Sequence, residues 1–319
     1  MTKWNYEKGL HHIGNGTWAY LLPNGSWGWS NAGLITDGEQ SLLVDTLFDE
    51  VLTEEMLKAM KQATGFGAAE IVTLVNTHAN GDHTYGNRLV ENAEIIASKA
   101  GAEEMEEVPP SVLAELMKNA PNMGSVGEYL MSCFSPFSFD GLTLTLPTRT
   151  FSGELDLTVG DKHVKLLEVG PAHTKGDVLI HVPDENVIYT GDILFIGGTP
   201  IIWAGPVRNW IKACDIIMEL DVDVVVPGHG PITDKTGVKQ VQSYLQFVDE
   251  EARKRFDADM DFEEAARDIA LGEYRKWTDY ERIVVNIFSL FKEYSGDATP
   301  PNHGHLFGCM AAYRSQFPA

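Results

Sequence analysis

Four apolar, β-branched runs in this chain each end in a loop that carries glycine and a potential metal ligand. They are residues 70–76, 164–169, 186–190 and 222–226. Short apolar runs bounded by turn residues predict buried strands. Because open α/β sheets display their functional groups at strand ends, these loops are expected to carry the chemistry of the protein.

The loop after the first run, THANGDHTYGN, is the most informative of the four. It places His78, Asn80, Asp82 and His83 in the pattern H-x-N-x-D-H. One further candidate ligand follows each of the other runs: His173, Asp192 and His229. Imidazole and carboxylate groups together suit zinc, iron or manganese. The sequence therefore predicts a metal site.

This ordered set resembles the metallo-β-lactamase superfamily, and the resemblance extends over roughly residues 10–235. It implies an α/β fold, a four-layer αββα sandwich with two sheets back to back and helices outside. Three separate histidine-bearing strand ends in family order, with Asp192 among them, are improbable by chance. The remaining histidines of the core region are expected to be ordinary surface or core residues: His11, His12, His163 and His181.

The resemblance also implies a set of ligands for two metal ions. It assigns to the first metal position His78, His173 and Asn80. It assigns to the second position Asp82, His83 and His229, with Asp192 bridging both ions. Asn80 departs from the family pattern, which has histidine there, and a carboxamide oxygen is a poorer zinc ligand than an imidazole nitrogen.

Three interpretations of Asn80 compete. It is a weak ligand in a binuclear site that holds a harder ion such as manganese or ferrous iron; or it leaves the first position empty; or its amide points at a water or substrate oxygen. The first is favoured because His78 and His173 are both retained, which an empty position would not explain.

The resemblance implies hydrolysis of a small carbonyl compound: an ester, thioester, lactone or amide. One or two divalent ions, zinc first and manganese or iron as alternatives, would activate water and polarise the carbonyl. Asp82 would be the catalytic residue that orients the water. Trp203 and Arg208, in and after a loop that follows Asp192, are candidate substrate contacts. Arg208 is equally well explained as a brace for a helix over residues 210–220.

Two other functions are left open. The same site could serve a metalloenzyme that is not a hydrolase, such as a decarboxylase, another lyase or a di-iron redox enzyme. Alternatively, the chain could be a non-catalytic binding protein with a decayed site. Retention of Asp82, Asp192 and His229 argues against decay.

Composition restricts the partners. The net charge of −22 opposes binding to nucleic acid, which depends on contacts of Lys and Arg with phosphate, and it disfavours anionic membranes. A small-molecule substrate is expected, and a homo-oligomer is left open.

The N-terminus shows no apolar stretch typical of a signal peptide. Three widely spaced cysteines indicate no disulfide framework, so a reduced cytoplasmic protein is expected.

The chain is divided by pattern into a core over residues 1–235 and a helical C-terminal extension over 236–319, packed on the core. Residues 99–150 do not fit a minimal core and are interpreted as an inserted lid or subdomain. Its aromatic residues would either close over a substrate or pack a small core of their own: Phe134, Phe137 and Phe139. Thr53 is predicted to cap the first helix.

Overall fold

The computed structural model describes residues 4–318, in which two mixed β-sheets lie between layers of helices. The seven strands of the first sheet lie side by side in chain order: β1 Gly9–Gly14, β2 Thr17–Leu21, β3 Ala32–Asp37, β4 Gln40–Val44, β5 Thr73–Val75, β6 Glu94–Ser98 and β7 Arg149–Phe151. The second sheet contains β8 Glu154–Val159, β9 Lys162–Glu168, β10 Val178–Val182, β11 Val187–Tyr189 and β12 Val224–Val226. Its spatial order is β12-β11-β10-β9-β8.

The helices within residues 4–318 fall between and after these strands. They are α1 Glu50–Thr64, α2 Gly81–Thr84, α3 Lys99–Met105, α4 Pro110–Asn119, α5 Gly124–Phe134, α6 Val207–Glu219, α7 Lys235–Phe256, α8 Phe262–Asp268, α9 Ile283–Ser295 and α10 His303–Gln316. Short 3-10 turns are present at Asn87–Val90, Ala120–Asn122, Pro183–Glu185, Gly191–Ile193, Gly272–Lys276 and Tyr280–Arg282.

Strand direction brings the candidate ligand loops to one edge of each sheet. In the first sheet, β4 and β5 are parallel, so the segments that follow them leave from the same edge. In the second, β10 is antiparallel to both β9 and β11, and β12 is parallel to β11. Strands β9, β11 and β12 therefore all run in one direction, and their loops share an edge.

The two sheets pack face to face through a core of aliphatic side chains. The first sheet contributes Leu42, Val44, Val75 and Ile96, and the second contributes Val164, Leu166, Ile180 and Val187, all essentially inaccessible to solvent. Each fully buried aliphatic side chain contributes ~1.5–3 kcal/mol relative to an exposed one. This shared core fixes the relative position of the two edges.

Helices cover both outer faces. On the first sheet, Met56, Leu57 and Met60 of α1 pack against Leu34 and Leu74. On the second sheet, Leu179, Ile188 and Val225 pack against α6, α7 and α9. The predicted α/β four-layer αββα sandwich is confirmed.

The predicted cap of the first helix is wrong. Asp49, not Thr53, is the N-cap of α1: its backbone is extended and its side chain accepts a 2.8 Å hydrogen bond from the Leu52 N–H. Thr53 lies inside the helix, where its hydroxyl donates to the Asp49 carbonyl and accepts from the Leu47 N–H. Both residue types can cap a helix, and only the backbone conformation distinguishes them here.

The aromatic residues of the segment 99–150 are buried. Phe137 lies 4.9 Å from both Phe48 and Trp29, and Phe139 lies 4.9 Å from Phe48, measured between ring centroids. Phe134 packs against Phe48 and Trp27. These side chains therefore belong to a core that the segment shares with the rest of the protein. Whether the segment is a lid or subdomain stays a prediction.

The C-terminal helices pack on one another and on helices of the preceding region: α7 contacts α6, α8 and α9, and α10 contacts α5 and α9. The predicted apolar face of α7 is buried along its length: Val238, Val241, Leu245, Val248 and Ala252. The division at residue 235 stays a prediction, and residues 1–3 and 319 of the two predicted regions lie outside the described residues. Within residues 4–318, no helix combines the length and the apolar character needed to cross a bilayer.

Replacing Asp49 by alanine is expected to lower the free energy of unfolding by about 1–2 kcal/mol, because the helix loses its cap. The second carboxylate oxygen also loses its 3.0 Å bond from the Ser138 N–H. Urea denaturation measures the change. Glu54→Ala, which removes an exposed ion pair with Lys58 in the same helix, is the control and should change stability by less than about 0.5 kcal/mol. Equal effects of the two substitutions would contradict the assignment of the cap.

Candidate metal centre

The first group of candidate ligands lies in the loop after β5. His78 follows the strand, Asn80 occupies the N-cap position of α2, and Asp82 and His83 lie in that short helix. A β-carbon on Gly81 would come within 2.4 Å of the Tyr85 ring. Glycine at this position therefore leaves room for the Tyr85 ring beside the six residues that present the four side chains.

The second sheet supplies the other candidates from its three parallel strand ends. His173 lies in the loop after β9, which Asp177 holds by accepting hydrogen bonds from the backbone and hydroxyl of Thr174. Asp192 lies in the 3-10 turn after β11, and His229 in the loop after β12. A β-carbon on Gly228 would lie 2.0 Å from Asp192 Oδ1, so only glycine lets these two loops approach.

Asp192 is the centre around which the histidines converge. Its carboxylate oxygens lie close to the Nε2 atoms of four histidines, at 3.1 Å for His83, 3.3 Å for His173, 3.5 Å for His229 and 3.7 Å for His78. Asp82 Oδ2 lies 3.2 Å from His229 Nε2, and Asn80 Oδ1 lies 3.1 Å from His173 Nε2. All seven residues that the sequence predicted as ligands are thus brought together.

The residues present fit a cation. His78 Nε2, His83 Nε2 and Asp192 Oδ1 are buried, and none makes a well-aligned hydrogen bond within residues 4–318, although His83 Nε2 and Asp192 Oδ1 lie 3.1 Å apart. Leaving such atoms unpaired costs ~1–3 kcal/mol each, and a cation among them would satisfy all three. Two triads bring their ligand atoms within 4.8 Å of one another: His78, His83 and Asp192, and Asp82, His83 and His229.

Hydrogen bonds select the nitrogen that each imidazole presents. The Thr77 hydroxyl donates to Asp45 Oδ2 at 2.7 Å, so it accepts the 2.9 Å bond from His78 Nδ1. His83 Nδ1 donates to the same carboxylate at 2.9 Å, and His173 Nδ1 donates to the Ile201 carbonyl at 2.7 Å. Each Nδ1 carries the proton, so each Nε2 lone pair is directed at the cluster, as metal ligation requires.

Asp45 is a functional residue that the sequence reasoning missed. It follows β4, is buried, and accepts bonds from the Thr77 N–H and hydroxyl as well as from His83. Its position directly after an apolar run, like that of the candidate ligands, was the available signal. Burial raises the pKa of its carboxyl, although His83 opposes the shift.

Imidazole and carboxylate groups of opposite charge lie next to one another in the cluster and shift each other's pKa. Burial would lower the pKa of His83 and His229, but nearby carboxylates, Asp192 first, outweigh it: the pKa of His83 lies well above its usual value, and that of His229 rises to about 9. Burial would raise the pKa of Asp192, yet the imidazoles hold it well below its usual value. Burial dominates for His78 and His173, whose pKa values are lowered. Buried carboxylates here require positive charge beside them.

His229 is oriented by stacking. Its Nδ1 has no hydrogen-bond partner in the described part of the chain. Instead its ring lies parallel to that of Phe195, with centroids 5.0 Å apart and planes 6° apart. The Arg282 guanidinium lies 5.3 Å from the centroid of the same Phe195 ring and donates to the Thr199 carbonyl at 2.9 Å. A residue of the C-terminal region therefore supports a ligand of the centre.

The two predicted substrate contacts lie in different places. The backbone N–H of Trp203 donates to the His173 carbonyl at 3.1 Å. Trp203 also lines a surface cavity with residues of α9 and none of the candidate ligands. Its ring also lies 5.5 Å from that of His303. Arg208 is exposed in the first turn of α6, where it lines a surface cavity with residues of α7 and α9 and none of the candidate ligands. The structure thus brings the backbone of Trp203 next to the His173 loop and places Arg208 away from the centre.

A family model described as the metallo-beta-lactamase superfamily matches residues 25–229, more than half of the chain. The match contains every candidate ligand. This chain belongs to the metallo-beta-lactamase superfamily.

Similar proteins carry several different activities in their names. The chain is 33% identical over 88 residues to 2,4-dinitroanisole O-demethylase subunit alpha of Nocardioides sp. (strain JS1661), and this match covers 26% of each chain. It is 25% identical over 217 residues to acyl-coenzyme A thioesterase MBLAC2 of Bos taurus, covering 63% of this chain and 72% of that protein. The structure of the sec-alkylsulfatase Pisa1 from Pseudomonas sp. superposes with a TM-score of 0.69 at 19% identity.

Two of these matches cover only part of the other protein. The alkylsulfatase match spans 94% of this chain but 52% of that protein, and the chain spans about a quarter of the demethylase subunit. At 19% identity the alkylsulfatase shows the fold alone. The comparisons establish the family and leave the reaction to be argued from the site.

Asp45→Asn is expected to weaken metal binding ~10–100-fold, because an amide cannot accept hydrogen bonds from both Thr77 and His83 as the carboxylate does. Competition with a chromophoric chelator measures the dissociation constant. Asp37→Asn, at the far end of the β3–β4 hairpin where the carboxylate accepts from the Asp161 N–H, is the matched control. Equal affinities for the two variants would show that Asp45 does not orient His83.

Proposed function

We propose that this protein is a metal-dependent hydrolase of a small carbonyl compound, an ester, thioester, lactone or amide. The observation that carries the proposal is the convergence of the buried His78 Nε2, His83 Nε2 and Asp192 Oδ1 atoms at one point, where none makes a well-aligned hydrogen bond within residues 4–318. Membership of the metallo-beta-lactamase superfamily supports it, as does the thioesterase named among the relatives.

The ligands divide into two positions that share one carboxylate. We infer that the first consists of His78, His173 and Asn80, and that the second consists of Asp82, His83 and His229, with Asp192 between them. The imidazole and carboxylate donors suit zinc, with manganese or iron as alternatives. A bound divalent ion supplies Lewis-acid polarisation of the substrate carbonyl and lowers the pKa of a coordinated water to ~7.

Asp82 is the carboxylate best placed to orient the water that attacks the substrate. Its side chain is 14% exposed, whereas that of Asp192 is 4% exposed. Its Oδ2 atom lies 3.2 Å from His229 Nε2, which fixes the orientation of the carboxylate. Asp82 can therefore accept a hydrogen bond from a water that enters from solvent, orient its lone pair and receive its proton.

We infer that Trp203 and Trp27 form an aromatic wall near the His173 loop. The Trp203 backbone N–H is tied to the His173 carbonyl, and the Trp203 ring lies 6.4 Å from that of Trp27. Aromatic surface next to a polar centre favours substrates in which the scissile group is attached to an apolar or aromatic portion.

Asn80 retains the position of a ligand. Its Oδ1 atom lies 3.1 Å from His173 Nε2, so the amide oxygen and the imidazole nitrogen face the same point. This placement supports the interpretation of Asn80 as a weak ligand in a binuclear site. A neutral amide oxygen is a hard donor, which favours manganese or ferrous iron over zinc at the first position.

A substrate panel tests the proposed reaction. Protein freed of metal by chelation would be reconstituted separately with zinc, manganese and ferrous iron, then assayed with aryl esters, acyl thioesters, lactones and amides. Metal-dependent turnover of one of these classes supports the proposal. Turnover of none of them, with metal bound, would overturn it, and cleavage of an alkyl sulfate or aryl methyl ether instead would assign a different hydrolytic substrate.

Asp192→Ala is expected to abolish metal retention at both positions, because its carboxylate is the group shared by the two. Elemental analysis after dialysis measures the ions held per chain. Asp184→Ala removes an exposed carboxylate that pairs with His163 and should leave metal content unchanged. A metal content equal to that of the wild type in Asp192→Ala would sink the bridging role.

Substitutions of Asn80 are expected to act in opposite directions. Asn80→His supplies an imidazole and should raise occupancy of the first position, whereas Asn80→Ala removes the amide oxygen and should lower it. Metal titrations of the two variants against the wild type measure the number of ions and their affinities. Identical titrations for all three proteins would show that the side chain at position 80 is not a ligand.

A further inference from the structure

A second group of metal-ligating side chains lies in the C-terminal helices, outside the part of the chain that matches the family. Glu263 is in the first turn of α8, and His305 and Cys309 are four residues apart on α10. Residues at that spacing project from the same face of a helix. Glu263 approaches this face from the neighbouring helix, so that carboxylate, imidazole and thiol converge from two elements.

The separations match those between ligands of one ion. Cys309 Sγ lies 3.6 Å from His305 Nε2, and Nε2 lies 3.9 Å from Glu263 Oε1. The three ligand atoms all lie within 4.8 Å of one another. Tetrahedral zinc with ligands at ~2.0–2.3 Å sets neighbouring ligand atoms roughly 3.3–3.8 Å apart. Shifts of a few tenths of an ångström would complete the geometry.

We propose that Glu263, His305 and Cys309 form a binding site for a zinc-class divalent cation, separate from the centre at Asp192. Thiolate, imidazole and carboxylate in combination are the donors that zinc takes in proteins. His305 is exposed, so an ion can enter and a water can occupy the fourth position. On binding, the ion displaces the thiol proton of Cys309 to solvent, and no electron transfer is involved.

The guanidinium of Arg267 pairs with the second carboxylate oxygen of Glu263. Arg267 Nη2 lies 2.6 Å from Glu263 Oε2, while Oε1 faces His305. This ion pair holds the carboxylate in place and leaves one oxygen for the cation. The Phe262 ring lies 6.1 Å from that of His305, nearly perpendicular to it, and further restricts the imidazole.

The proposed ion would fasten α10 to α8. Helix α10 carries His303, which contacts the Trp203 ring at 5.5 Å, and Phe307, which contacts the Trp27 ring at 5.6 Å. Trp203 is in turn bound to the His173 loop. A cation at this site would therefore stabilise the aromatic wall near the His173 loop, as a structural site rather than a second reaction centre.

Cobalt titration provides a specific test. None of the residues assigned to the centre at Asp192 is a cysteine, so a cobalt–thiolate charge-transfer band in the near ultraviolet reports only on the proposed site. The band should appear in the wild type and in Asp192→Ala, and reach its maximum at one equivalent in the latter. It should be absent from Cys309→Ser and at least ten-fold weaker at one equivalent in His305→Ala.

Matched controls separate this site from other thiols and imidazoles. Cys133→Ser alters another buried cysteine, and His163→Ala another exposed histidine paired with a carboxylate; both should keep the band. Circular dichroism establishes that each variant is folded. Zinc should also raise the unfolding temperature of Asp192→Ala but not that of Asp192→Ala combined with Cys309→Ser.

Absence of the band in the wild type, or its survival in Cys309→Ser, would overturn the proposal. A band of full strength in His305→Ala would overturn the three-ligand set. Because the measurement is also made on Asp192→Ala, its outcome does not depend on the proposed hydrolase, which fails or stands on the substrate panel.

Discussion

Buried charge at the shared edge of the two sheets constrains the loops that meet there. His78 and His83 come from the first sheet, whereas His173, Asp192 and His229 come from the second, and all five are almost inaccessible to solvent. Moving a charged group out of water costs several kcal/mol, and removing one partner of a buried pair costs ~3–5 kcal/mol. The strands, loops and glycines around the centre are consequently restricted to arrangements that keep opposite charges in contact.

The backbone around these charges is correspondingly crowded. Asn31 lies between the sheets, where its side chain donates to the Pro227 and Gly230 carbonyls and its N–H donates to the Gly228 carbonyl. The Val178 N–H donates to the Thr77 carbonyl. These bonds tie ligand loops of one sheet to the other without using the ligands themselves. Rigid loops of this kind keep the side chains preorganised for a cation.

The sequence was sufficient for the parts of the molecule that depend on order along the chain. Strand ends followed by glycine and a ligand predicted a metal site, and the family resemblance that they carry implied the layers and the seven residues that converge. The sequence was insufficient where contacts between distant segments decide which of several similar residues takes a role. Asp45 is 38 residues from His83 and shares no motif with it, and the cap of α1 depended on a backbone angle. Neither role proposed for Phe137, closing over a substrate or packing a core of its own segment, included its partner Phe48, which belongs to a distant segment.

The stack of Arg282, Phe195 and His229 connects the sandwich to the C-terminal region. In the proposed centre, the His229 ring stacks on Phe195, which in turn contacts a guanidinium more than fifty positions later in the sequence. Loosening of the C-terminal region would therefore remove a support of a proposed ligand. For the same reason, residues 25–229, the part that the family model matches, would lack this support of His229 if taken alone. We therefore expect the stability of the proposed centre to be coupled to that of the C-terminal region.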